Sequence, residues 1–382
     1  MRTLYLHIGF HKTGSSSLQL ALKQNGARLL EQGFEFVSLG KKGNSSGAIE
    51  VEAEGPDLSF RLNGRFRQLL STTAGERVIV SAEHFSFLHQ AADIRQVAGV
   101  CGEFFERTVV IAYLRRQDLH ARSFKQQGAR GCEAGRSSSS KLLGHGDGAF
   151  PEFTPPVNTY YDYAAKLHQW REIFGRDALV VREFEPAQLN GGDLVTDFAG
   201  LLGGDVRIPP CRVNEGVSRK EFLLTHKLIQ LRLAPAEIRR LKPMMQRDEA
   251  RLQPAREDAE AFFRHFADSN RRLNEEFLRH ESGLAFSEDF SAYPVAGNDH
   301  LSFGDLAQWS ADLFAAGLQN PGGLRDALLA DRARALADAA TTAEDLAGEL
   351  RALERCLAQT AGITPARNTW WQRIRGRKRS GR

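Results

Sequence analysis

The stretch Leu4-Tyr5-Leu6-His7-Ile8-Gly9-Phe10-His11-Lys12-Thr13-Gly14-Ser15-Ser16-Ser17-Leu18-Gln19 constrains this chain more than any other part of it. An apolar run of strand type enters a turn bounded by Gly9 and Gly14 and carrying Lys12. Three serines then open a helical pattern whose apolar positions are Leu18, Leu20, Ala21 and Leu22. Strand, glycine-bounded loop and helix N-terminus together make an anion site. The first N–H groups of a helix have no partner inside it, and its dipole favours negative charge there. Loop N–H groups add a concavity of donors, and Lys12 adds a full positive charge. Phosphate or sulfate is the expected guest. The alternative is a structural turn whose Ser and Thr only cap the helix.

Spacing decides which anion chemistry is expected. A Walker A loop reads G-x-x-x-x-G-K-[ST]. Gly9 and Gly14 keep the glycine spacing, but Ser15 stands where the lysine belongs and the lysine comes earlier, at position 12. An ordinary ATPase or kinase is therefore disfavoured.

Further along, buried-type strands recur between helical patterns. Arg77-Val78-Ile79-Val80-Ser81 runs into Ala82-Glu83-His84-Phe85, and Thr108-Val109-Val110-Ile111-Ala112-Tyr113-Leu114 is followed by Arg115-Arg116-Gln117-Asp118 and a helix. Ala178 to Arg182 is another strand, ended by Glu185-Pro186. Such alternation predicts an α/β fold: a three-layer parallel sheet, with a phosphate-type loop after its first strand and a C-terminal helical extension. Ligands of such sheets sit beyond the carboxyl ends of the strands. The loop at 9–16, Glu83-His84 and Arg115-Arg116 all fall at that edge. Residues 40–57, rich in Gly, Ser and acidic side chains, are expected to be a flexible loop, Phe60 to Ser71 a helix, and 128–157 an irregular lid or linker.

Length and composition place the chain among globular proteins large enough for one big domain or two smaller ones. A net charge of +4 excludes a general polycation that binds nucleic acid, and the basic surplus is local, in Trp370 to Arg382. The four cysteines, Cys101, Cys132, Cys211 and Cys356, show no C-x-x-C pair, so neither a zinc site nor a disulfide framework is expected. No apolar run has the length of a membrane span, and the strand at the N-terminus leaves no room for a signal peptide. The expectation is a cytoplasmic enzyme. Weak peripheral attachment to the inner membrane face through the basic tail, with Trp in the interface and Arg on phosphates, stands beside a soluble tail as the alternative.

His11-Lys12-Thr13-Gly14-Ser15-Ser16-Ser17-Leu18-Gln19 resembles the 5′-phosphosulfate loop of sulfotransferases that use 3′-phosphoadenosine 5′-phosphosulfate (PAPS), and Arg115 with Ser123, eight residues on, resembles their 3′-phosphate pair. Together these look like a PAPS-dependent sulfotransferase of the bacterial type. Tyr161-Asp162-Tyr163-Ala164-Ala165, Leu179-Val180-Val181-Arg182 and Arg212-Val213-Asn214-Glu215 resemble later parts of that domain, so the likeness covers roughly 3–290. Ser15 and Ser16 replace the threonine pair common in the family, keeping the hydroxyls.

The resemblance implies sulfuryl transfer from PAPS to a hydroxyl or amine, with His11, Lys12, Thr13, Gly14, Ser15, Ser16, Ser17, Arg115 and Ser123 binding the co-substrate and Lys12 stabilising the leaving phosphate. Glu83 is the expected base, His84 a close second and His11 a third. No metal is expected. The resemblance implies a glycan or glycolipid acceptor, and Arg122, Lys125 and Arg130 would suit an anionic one. A kinase-like enzyme and a non-catalytic nucleotide-binding module are the rival readings. The expected organisation is an α/β domain over 1–290, helices over 291–364 and the basic tail over 365–382.

Overall fold

The structure is a computed structural model. It describes residues 1–54, 57–130, 137–203, 206–211, 216–230, 232–246, 250–302, 304–305 and 309. The chain divides into two compact units, one of Met1–Val217 with Arg251–Asp299, the other of Ser218–Ala250 with His300–Arg382.

The first unit is built on a parallel sheet of five strands. β1 (Thr3–His7) leads through α1 (Ser15–Gln24) and α2 (Gly26–Glu31) to the short β2 (Glu35–Phe36). A hairpin of β3 (Ile49–Glu54) and β4 (Asp57–Leu62) follows, then α3 (Gly64–Ser71), β5 (Arg77–Ser81), α4 (Ala91–Gly102) and β6 (Arg107–Leu114). Next come α5 (Gln117–Arg130), α6 (Ser138–Leu143), α7 (Pro155–Tyr161), α8 (Tyr163–Phe174), β7 (Leu179–Glu183) and α9 (Leu194–Leu201). The sheet order is β2-β5-β1-β6-β7, every pairing parallel.

Side-chain alternation makes this sheet the middle of three layers. Leu4, Leu6, Val78, Val80, Val110, Ala112 and Leu114 face one core, which also holds Trp170 and Phe66. Ile79, Val109, Ile111 and Tyr113 face the other, filled by Leu18 and Leu22 of α1 and Val195 and Phe198 of α9. Strands buried on both faces must be apolar at nearly every position, which is why these runs do not alternate with polar residues. The α/β, parallel, three-layer architecture expected from the sequence is the one the chain adopts.

Three local expectations change. Within the expected flexible loop at 40–57, Ile49–Glu54 is a strand that pairs antiparallel with Asp57–Leu62, with Val51 opposite Phe60, so Phe60 lies in a strand. The helix expected from Phe60 begins only at Gly64, where Asn63 Oδ1 accepts the Arg65 N–H at 3.1 Å. Within 128–157 the chain forms α6, capped by Ser137, and starts α7 at Pro155. Residues 131–136 lie outside the described residues.

After the second unit's α10 (Arg219–Gln230) and α11 (Pro235–Met245), the first unit is completed by α12 (Arg256–Arg264) and α13 (Ala267–Leu273). Within the second unit Arg219 forks onto Asp305 at 2.6 and 2.8 Å. Residues 291–302 contain no helix. Apart from 304–305 and 309, the expected helical region beyond them and the basic tail lie outside the described residues, as do Arg212 to Glu215. No helix among the described residues is long and apolar enough to cross a membrane.

Candidate active site

β1 leaves the sheet at His7, and the loop closes on itself with its own hydroxyls. Thr13 Oγ1 donates to the Phe10 carbonyl at 2.7 Å, and Ser15 Oγ to the same oxygen at 3.3 Å. Two glycines are required. A Cβ on Gly9 would lie 2.8 Å from His7 Cε1 and 2.9 Å from Ser15 Oγ. Gly14 has φ +78°, and a Cβ there would lie 2.8 Å from Leu194 Cδ2. Lys12 itself takes the left-handed conformation, with φ 62°. No side chain caps α1, and the N–H groups of Ser17 and Leu18 return to the Gly14 carbonyl at 2.9 and 3.1 Å. The N–H groups of Ser15 and Ser16 therefore belong to the first turn, which has no acceptors inside the helix.

A cavity of about 530 Å³ opens on this loop. Lys12, Ser15, Ser16 and Ser17 line it after β1, Glu83 after β5, Arg115 and Ser123 after β6, and Phe184 and Glu185 after β7. Four neighbouring strands thus deliver the site from their carboxyl ends. Arg115 Nη1 donates to the Lys12 carbonyl at 3.2 Å, which ties the two cationic segments together. Its guanidinium lies 5.9 Å from the Phe184 ring centroid.

Arg116 points elsewhere. It forks onto Asp118 at 2.8 and 3.0 Å and donates to the carbonyls of Ser287 and Asp289 at 2.8 and 2.7 Å. Tyr293 Oη also donates to Asp118, at 2.7 Å. The ion pair that could have consumed Arg115 falls to its neighbour instead, leaving Arg115 to the cavity.

Glu83 opens a 3-10 turn, Glu83–Phe87, directly after β5. Asn44 Nδ2 donates to its Oε2 at 3.4 Å. Burial pushes its carboxyl up to about 6, against the opposing pull of Lys12, Ser15 and Asn44. A carboxyl so placed is charged at neutral pH yet basic enough to take a proton.

Gly14 lines this cavity too, whereas the expected site residues His11, Thr13 and His84 do not. Thr13 is fully buried, its hydroxyl spent on Phe10. His11 is buried beneath the loop, stacked on Phe124 at 4.2 Å with Nδ1 at 2.7 Å from Tyr160 Oη. Its pKa falls well below the ordinary value, first through burial and then through His84, His120, Lys12 and Lys166 nearby. The His84 ring packs 5.8 Å from His11 and 5.4 Å from Phe87, and burial lowers its pKa. Its Nδ1 is buried without a hydrogen-bond partner among the described residues. The cavity therefore meets Glu83, not His84.

Sequence reasoning missed Asn44, Phe184 and Glu185. The strand at 178–182 and its Glu185-Pro186 ending did signal a fourth contribution to this edge. The expected basic face also changes: Lys125 is buried, its Nζ donating to the carbonyls of Gly146, Gly148 and Phe150 at 2.9, 2.7 and 2.8 Å. A second cavity, about 1050 Å³, adjoins the first at Leu119 and Glu185 and is lined by Arg122. Among the described residues no cluster of three or more His, Cys, Asp or Glu is arranged to hold a metal ion.

No family model matches the chain. The chain is similar to an uncharacterized protein of Archaeoglobus fulgidus, 23% identical over 190 residues, which cover 47% of this chain and 48% of that protein. It thus spans about half the length of that curated relative. Among solved structures it is similar to a sulfotransferase from Alicyclobacillus acidocaldarius, with a TM-score of 0.42 and 18% identity over 74% of this chain and 98% of the other. A likeness of that degree carries no argument about activity.

Proposed function

We propose that this chain transfers the sulfuryl group of PAPS to a hydroxyl, or an amine, of an acceptor. One observation carries the reading: a single cavity gathers Lys12, Ser15–Ser17, Glu83, Arg115 and Ser123 from three separate segments. These residues fit a nucleotide with two separate anionic groups. The loop of small and hydroxyl residues, with Lys12 and the open N-terminus of α1, suits the 5′-phosphosulfate. Arg115 offers a planar fork and Ser123 a hydroxyl, which suits the 3′-phosphate.

In the reaction the acceptor oxygen bonds to sulfur as the bond from sulfur to the bridging phosphate oxygen breaks. Glu83, in its charged form, takes the acceptor's proton. Lys12 meets the negative charge left on the bridging oxygen, where a fixed cation is worth more than water. Adenosine 3′,5′-bisphosphate and the sulfated acceptor are the products. No metal is needed in this scheme, because Lys12 and the helix N-terminus supply the positive charge. A glycan or glycolipid acceptor, and attachment of the tail at 365–382 to an anionic membrane surface, stay proposals of the sequence; of the basic face, Arg122 lines a cavity and Lys125 does not.

Calorimetric titration with adenosine 3′,5′-bisphosphate tests the donor. Binding that requires the 3′-phosphate and weakens about tenfold or more in Lys12→Ala is expected. Preference for ATP with Mg²⁺ would replace the reading with a kinase, and binding of neither would make the loop structural.

A further inference from the structure

The segment before β3 holds a side chain that the scheme above does not use. Asn44 reaches Glu83 with its amide, Nδ2 donating to Oε2 at 3.4 Å. Which end of that amide faces the carboxylate follows from its other partner. Asn44 Oδ1 accepts the Ser46 N–H at 2.7 Å, and a backbone N–H must be met by the oxygen of an amide. The NH₂ end is therefore the one left for Glu83. Asn44 does not line the cavity that Glu83 lines, so it bears on the chemistry only through Glu83.

The turn carrying Asn44 is fixed on three sides. Ser45 donates its N–H to the Ser81 carbonyl at the end of β5 at 2.9 Å, and its hydroxyl accepts the Leu39 N–H at 3.2 Å. Ser46 Oγ accepts the His84 N–H at 3.2 Å, so the turn grips the backbone next to Glu83 as well as its side chain. Gly43, at φ +88°, passes so close to α1 that a Cβ there would collide with the Gln19 carbonyl. An amide mounted on such a turn is locked by its surroundings, which is what orienting a reacting group requires.

The groups that meet the Glu83 charge come from four segments: Lys12 from the loop after β1, Ser15 from α1, Asn44 from this turn and the Tyr160 hydroxyl from α7. Lys12 and Ser15 also face the proposed donor. Asn44 lies outside the cavity, so a bound donor does not compete for it.

We infer that Asn44 is a positioning residue for the proposed base: its amide holds Glu83 Oε2, limits rotation of the carboxylate and favours the charged form that takes the acceptor's proton. The catalytic meaning rests on the sulfuryl-transfer reading; the contact itself does not.

The full chain labelled with ¹³C at its glutamate carboxyl carbons reports Glu83 directly, the NMR signal being assigned by its loss in Glu83→Gln. Asn44→Asp keeps an oxygen for the Ser46 N–H but turns a carboxylate toward Glu83, and Asn44→Ala removes the amide altogether. The wild-type midpoint is expected at about 6. It should rise by about one unit or more in Asn44→Asp, where two carboxylates share the site and titrate as a pair, and by about half a unit in Asn44→Ala. A purely structural role would leave the midpoint where it is. A single cooperative melt shows that each variant is folded. A midpoint unmoved or lowered in either folded variant overturns the inference. Failure of adenosine 3′,5′-bisphosphate to bind the wild type would instead overturn the donor reading, and the base role of Glu83 with it, while the midpoint shifts would still report the contact.

Discussion

As the proposed base, Glu83 carries two opposed demands. Its carboxyl is raised from 4.5 to about 6 by burial, so the charged form needed to accept a proton is the form the site disfavours. The sign follows from proton counting. Below the unfolded value both states hold the proton and there is no penalty. Between 4.5 and about 6 the folded state keeps its proton longer, so stability falls as pH rises, and above about 6 the penalty is fully present. Activity runs the other way: kcat/KM should climb through pH ~6 to a plateau as Glu83 ionises. In Glu83→Gln the plateau should drop by about 10²- to 10⁴-fold and the acidic limb should vanish. The same variant should melt at a higher temperature than wild type at pH 8 and lose that advantage near pH 4. A pH–rate profile with thermal melts at both pH values checks both halves. An unchanged limb would assign the titration to another group.

At the scale of elements, the segment at 283–293 is held beyond the end of β6 by Arg116 and by the Tyr293 hydroxyl on Asp118. Arg116 joins Asp118 to the carbonyls of Ser287 and Asp289, and Asp118 is fully buried. Arg116→Ala leaves that carboxylate without its cation, a change that costs ~3–5 kcal/mol for buried pairs. Urea unfolding should report a loss in that range, whereas a cost under ~1 kcal/mol would mean that Tyr293 alone satisfies Asp118. The strands flanking this clamp were legible because burial on both faces leaves long apolar, β-branched runs. The hairpin was not, since Ser, Gly and acidic residues around 40–57 outweigh the alternation in Ile49-Glu50-Val51-Glu52. The same divide runs through the site. Lys12 and Ser15–Ser17 are contiguous, and Arg115 and Ser123 are two helical turns apart, so spacing could find them. Asn44 meets Glu83 across 39 positions, and Phe184 meets Arg115 across a strand pairing, distances that no local pattern records. The direction of His84 was equally hidden: consecutive residues of a 3-10 turn face different ways, and packing against His11 and Phe87 decides which of two neighbours meets the cavity.

For the whole molecule, the cavity proposed for the donor is bounded by four strand ends of the first unit, so a ligand that fills it bridges segments far apart in sequence. Binding to the folded state alone adds about 2.7 kcal/mol at a hundredfold excess over Kd. Adenosine 3′,5′-bisphosphate at that excess should raise the melting temperature by several degrees, and Arg115→Ala should abolish most of the rise. Scanning calorimetry in both proteins checks it. A shift that survives in the variant would move the 3′-phosphate away from Arg115.

Lys166 and Lys125 have a use beyond stability. Lys166 Nζ donates to the carbonyls of Ser86 and Tyr160 at 2.6 and 3.0 Å and lies 4.2 Å from the Tyr160 ring centroid. Burial lowers its pKa to about 7 and that of Lys125 to about 8, and both return toward the ordinary lysine value once the amine meets water. Reagents cannot reach them while the helices around them stay shut. Each is therefore a latent tag: an amine that acylates only during the moments when its own neighbourhood opens, so its labelling rate, set against that of an ordinary exposed lysine, times the local breathing of this fold without any probe being added to it.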